Sequence, residues 1–173
     1  MNSHITTAEY EWSLPRTDAR RFAVLAGRLL FASIFVISAP GLFTAKLIGY
    51  AAHQGVPMAG VLVPVAGLIA LAGGLSIALG FHAKAGAWLL VLFLVPVTFT
   101  MHAFWNERDP MTVQLQQVNF LKNLALLGGA LLIAQFGAGP LSLDARRGGG
   151  VRPWRETPLR EHESPLREHA GAA

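Results

Sequence analysis

Four long stretches of this chain are free of charge: no Asp, Glu, Lys or Arg falls within 29–45, 47–83, 85–106 or 123–143. None of them alternates polar and apolar positions with period two, as the shorter strands of a membrane barrel would. A helix that crosses hydrocarbon needs roughly 20 mostly apolar residues, about 30 Å at 1.5 Å per residue. Four such helices fit, at 22–43, 56–79, 85–104 and 119–138. The pattern therefore predicts an all-α fold, an integral membrane four-helix bundle. Trp88 and Trp105 bracket the third segment, roughly 25 Å apart along a helix axis, a separation that suits a pair of interfacial anchors.

The flanks are different. A polar leader, 1–21, carries Glu9, Glu11 and Asp18 and precedes an apolar run too long for a cleaved signal peptide. Residues 22–144 form the four-span domain. The tail, 145–173, is rich in Gly, Pro, Arg and Glu, and repeats "PLREHES" as "PLREHAG" with Pro158 and Pro165 opening the units. Proline every seven residues rules out a sustained coiled coil, and the tail is predicted to be disordered. Arg16, Arg20 and Arg21 before the first span, Lys84 between the second and third, and Arg146, Arg147, Arg152 and Arg155 after the fourth all fall on one side. By the positive-inside rule that side, with both termini, is cytoplasmic. The expected location is the bacterial inner membrane.

Composition agrees with lipid as the solvent. The chain is 53% hydrophobic and 14% charged, against about a quarter charged in ordinary soluble domains. Mean hydropathy is +0.44. Its net charge of +4 is explained by inner-face arginines, so no nucleic-acid partner is expected. Cysteine is absent, which excludes disulfides, thiolate nucleophiles and cysteine-held iron–sulfur clusters within the chain. Any redox chemistry would need a bound cofactor, a quinone or a partner protein.

Polar groups at membrane depth mark candidate chemistry, because they are costly there. Arg28 lies about 10 Å below the cytoplasmic start of the first span, and either snorkels or pairs with Asp144 beyond the fourth. His102 falls about one turn before the outer end of the third span. Asn119, Lys122 and Asn123 share one helical face in the first turns of the fourth. Pointing inward, these groups would converge at similar depth, walled by Phe104 and Trp105. Such a pocket would hydrogen-bond a quinone carbonyl and exchange protons with outer water. The alternative is that His102 and Lys122 snorkel while the asparagines staple helices. No metal site is expected, since Glu107, Asp109, His53 and His102 lack ligand spacing on a common helix face. Ala66, Ala70, Gly74 and Ala78, four apart, form a small-residue ridge for close helix packing.

"GRLLFASIF" in the first span, "GVP" and "GGLSIALG" around the second, "HAFW" closing the third, "FLKNLALLGG" in the fourth and "GAGPLSLD" after it together resemble the DoxX family of four-helix membrane proteins, over 27–144. One departure is that Ser38 is followed by Ala39, Pro40 and Gly41, with Lys46-Leu47 coming late. The resemblance implies a redox-linked membrane subunit, since the family includes the membrane subunit of a thiosulfate:quinone oxidoreductase. It implies a quinone, a soluble redox partner from sulfur or oxidative-stress metabolism, and roles for Arg28, His102, Trp105, Asn123 and Asp144. Lys122 is added on physical grounds alone. The rival expectation is a non-catalytic membrane scaffold that recruits soluble partners or forms a homo-oligomer through the small-residue ridge. Transport is weaker, since four spans enclose little room.

Overall fold

The computed structural model describes residues 16–147, with side chains from residue 19. Six α-helices follow one another: α1 (Arg16–Ser38), α2 (Ala45–His53), α3 (Ala59–Leu79), α4 (Ala83–Met101), α5 (Pro110–Phe136) and α6 (Leu143–Arg147). Single 3-10 turns, Ala39–Phe43 and Phe104–Asn106, lie after α1 and α4. No strand occurs among the described residues. Four helices, α1, α3, α4 and α5, are long and apolar enough to cross a membrane, so this is a multi-pass membrane protein. The 1–15 part of the leader and most of the tail, including the PLREH repeat, lie outside the described residues.

Two boundaries differ from expectation. The connection after the first span is partly helical: Thr44 accepts a hydrogen bond from the amide of Leu47 and caps α2. More consequentially, α5 begins at Pro110, nine residues before the predicted span. Asp109 and Pro110 are its start signal. The Asp109 carboxylate accepts the amide and hydroxyl protons of Thr112, both at 2.8 Å, and proline at the first helical position gives up no needed donor. The glutamines at 114, 116 and 117 made this segment look like a loop by polarity alone.

The helices pack in the order α1, α3, α4, α5, with α2 lying against α3. Between spans in lipid the hydrophobic effect drops out, and close van der Waals packing takes its place. Small residues accordingly fill the seams: Ala32, Ala70, Ala87 and Ala130 are buried with Phe35, Ile77, Leu90 and Leu94. Within the α3 ridge, Ala70 and Gly74 are buried, while Ala66 and Ala78 are half-buried. A methyl group on Gly74 would come within 3.1 Å of Phe35 Cβ. The ridge is therefore covered by α1 of the same chain, which leaves Gly74 unavailable for joining a second one.

At the arginine-rich end a short return segment leads out of α5. Arg28 donates to the carbonyls of Ala138 at 2.7 Å and Leu141 at 2.8 Å, and its Nε is buried without a partner. Asp144 accepts the amide protons of His82 at 2.7 Å and Ala83 at 3.0 Å, capping the N-terminus of α4. Arg28 and Asp144 thus meet at one junction, where each takes backbone partners of its own and the two act on one another electrostatically. Each charged group meets backbone dipoles left open where a helix begins or ends. Gly80, at φ +63°, closes α3 between them, where an added methyl would meet Ser142 and approach Arg28 Nη1 at 2.8 Å.

Candidate functional site

The half of the bundle away from the arginine-rich end, called its outer half, holds a cavity of about 700 Å³. Beyond its lining, α1 and α5 touch: a methyl group on Gly129 would lie 2.8 Å from the Phe31 ring. One turn further out the two helices are separated by open space, with Ile34 and Ser38 on one side and Asn123 and Leu126 on the other. α3 and α4 supply the back wall through residues such as Ala66 and Phe93.

At the outer end, three elements are joined by side chains. Oε1 of Gln116 on α5 lies 2.8 Å from Nδ1 of His102, just beyond α4. A carbonyl oxygen carries no proton, so Nδ1 donates, and Nε2 of the neutral ring is left as an acceptor. Nε2 of Gln116 donates to the Tyr50 hydroxyl on α2 at 2.9 Å, and Gln54 donates to the same oxygen at 3.0 Å. Tyr50 and His102 both line the cavity. Sequence reasoning missed Tyr50 and Gln116. The available signal for Gln116 was its position three residues before Asn119 and seven before Asn123, continuing one polar stripe along a helix.

His102, Lys122 and Asn123 all line the same cavity, but not at one depth. Because α5 starts early, Lys122 lies six residues past Gln116, roughly 9 Å further into the membrane. Its ammonium reaches back toward the outer side and donates to Asn119 Oδ1 at 3.0 Å. Asn119 is therefore a partner of Lys122 and lies outside the lining. Asn123 is 6% exposed, and no hydrogen bond to its carboxamide is formed within the described residues. Trp105, predicted as a wall of the site, is half-exposed and belongs to an aromatic cluster with Phe104 and Phe120. Trp88 is likewise exposed. Among the described residues no three His, Cys, Asp or Glu side chains come together in a way that would hold a metal ion.

Fold and site define a class: a four-span membrane protein with a largely apolar cavity at the end opposite its arginine-rich junction. Residues 13–148 match the SURF4 family, and the chain belongs to that family. It is 32% identical over 127 residues to inner membrane protein YqjF of Escherichia coli K12, covering 70% of this chain and 88% of that one. Inner membrane protein YphA of the same organism is 28% identical over 134 residues, 74% of this chain and 92% of its own. The Surfeit locus protein 4 homologue of Schizosaccharomyces pombe is 28% identical over 131 residues. That alignment takes in 75% of this chain and 39% of the longer yeast protein. No solved structure matches significantly. These findings overturn the DoxX resemblance, and with it the redox subunit, the quinone and the soluble redox partner that it implied.

Proposed function

We propose that this chain is a non-catalytic receptor of the bacterial inner membrane, which holds an apolar ligand between its four spans and presents it to partner proteins. The observation that carries this reading is the cavity. It has about 700 Å³ of space, inside the range of roughly 300–1,000 Å³ typical of small-molecule sites. Its walls are mostly aliphatic and aromatic, and its few polar groups sit toward one end, the arrangement of a site that binds and orients. The inner-membrane setting is supported by the names of the two E. coli relatives and by the basic residues at the end where both described termini emerge. A handing-on role is supported by the yeast relative named ER-derived vesicles protein ERV29, 29% identical over 84 residues.

The test is to fill the cavity. Purified protein in nanodiscs should take up an uncharged environment-sensitive naphthalene dye, and Ala66→Phe, which places a ring in the lining, should abolish uptake with the melting temperature retained. Uptake that persists unchanged in folded Ala66→Phe would overturn the reading.

A further inference from the structure

Two side chains in the cavity have needs that the protein does not meet. Lys122 sits about 18 Å along α5 from its first residue, within a span free of acidic side chains between Pro110 and Phe136. Its hydrogen-bond partner is the neutral carboxamide of Asn119. Among the described residues no carboxylate forms an ion pair with it. An ammonium at membrane depth is costly without a counter-charge. Asn123, the next residue, is more than nine-tenths buried, lines the cavity, and has two donors and an acceptor without a bond in the protein. Its carboxamide atoms are open to the cavity rather than sealed in the protein, so a carboxamide in this position points to a ligand that completes it.

His102 adds a third group at the same wall. Its Nδ1 is committed to Gln116, and Nε2 of the neutral ring, an acceptor, offers an anionic head no hydrogen bond, so the contacts to such a head fall to Lys122 and Asn123. These polar residues lie on α5 and at the end of α4. The facing surface, from Ile34 and Phe35 to Val63, Ile69 and Leu92, is apolar. A guest that satisfies both surfaces has an anionic head and a hydrocarbon body. The volume is that of a drug-sized molecule, which matches one acyl chain with its head group.

We propose that the cavity binds a single-chain acyl amphiphile with an anionic head group, carboxylate or phosphate, whose head is held by the Lys122 ammonium and the Asn123 carboxamide. This rests on the receptor reading above and names the ligand class for the same cavity. The ammonium supplies the charge preference, the carboxamide a hydrogen bond, and the chain runs along the α1 and α3 faces past Ile34 and Ala70. A neutral amphiphile of equal length fits the hydrocarbon part and leaves Lys122 unpaired.

The experiment uses the full chain in nanodiscs and the fluorescent polyene cis-parinaric acid, compared with its methyl ester. Wild type should bind the acid at least tenfold more tightly than the ester. Lys122→Met should reduce that ratio to about one with ester affinity unchanged, and Lys122→Arg should keep it. Asn123→Leu should weaken the acid several-fold. Competition by lysophosphatidate against palmitate then separates a phosphate-headed from a carboxylate-headed guest, since the native class displaces the probe at lower concentration. Equal binding of acid and ester by wild type, with both lost in Ala66→Phe, would overturn the anionic head and leave the receptor reading standing. Failure of both probes to bind would remove both readings.

Discussion

Oε1 of Gln116 lies 2.8 Å from Nδ1 of His102, tying the outer end of α4 to the second turn of α5. The other end of the same carboxamide donates to Tyr50 on α2. Replacing Gln116 with Leu removes both links at once and leaves the imidazole and the phenol to find other partners. A loss of about 1–3 kcal/mol is expected, measured by unfolding in mild detergent. In the wild type, nitrogen NMR should show the His102 proton on Nδ1. A proton found on Nε2 in the neutral ring would contradict the observed pairing.

Asp144 acts on α4 from 62 residues away, through the amides of His82 and Ala83. Asp144→Ala should lower stability by about 0.5–2 kcal/mol, the usual effect of a lost N-cap. Asp144→Asn keeps one of the two accepting oxygens and should recover part of it. Equal losses in the two variants would mean that the charge, rather than the cap, is what matters.

Gly80 combines a left-handed backbone with a crowded surrounding. Alanine there pays about 1–2 kcal/mol for the backbone conformation, and its methyl must also displace Ser142 and the Arg28 guanidinium. Gly80→Ala is expected to be more damaging than Gly27→Ala, where an added methyl meets nothing within 4 Å. Comparing the two melting temperatures checks it.

The Asp109 cap should be sensitive to acid. The backbone hydrogen bond from Thr112, then its side-chain hydrogen bond, hold this exposed carboxyl below its ordinary value. The folded form is then the stronger acid, so the unfolded form takes up the proton first as pH falls. The contribution of the cap is complete above the unfolded value of about 3.9 and is lost as pH drops through the folded one. Deuterium exchange at the Thr112 amide, compared at each pH with Asp109→Asn, should differ near neutrality and converge in acid.

Much of the architecture was legible because lipid imposes a coarse rule: charge-free intervals of the right length become spans. What escaped was local or distant. α2 is nine residues of mixed polarity, too short for a periodic signal, and the first turns of α5 hid behind three glutamines. The roles of Arg28 and Asp144 depend on a return segment that folds back more than 100 residues after Arg28, a relationship no spacing reveals. His102, Lys122 and Asn123 were singled out because polar groups in lipid are scarce, and they do line one cavity. The family resemblance failed for a physical reason. "GGLSIALG" supplies the buried Gly73 and Gly74 and the closing turn of α3, while "GAGPLSLD" builds the junction held by Arg28. Such segments report how four helices are assembled and carry no information about electron transfer.

Arg28 has a mechanical consequence as well. Its two hydrogen bonds rivet α1 to the chain leaving α5 at the basic end of the bundle. At the opposite end α1 passes into α2, whose Tyr50 reaches α5 through the single carboxamide of Gln116. The molecule is built like a pair of tongs, pinned at one end and lightly latched at the other. The cavity lies at the latched end, so the elements around it are held together by fewer side-chain ties than those at the basic end.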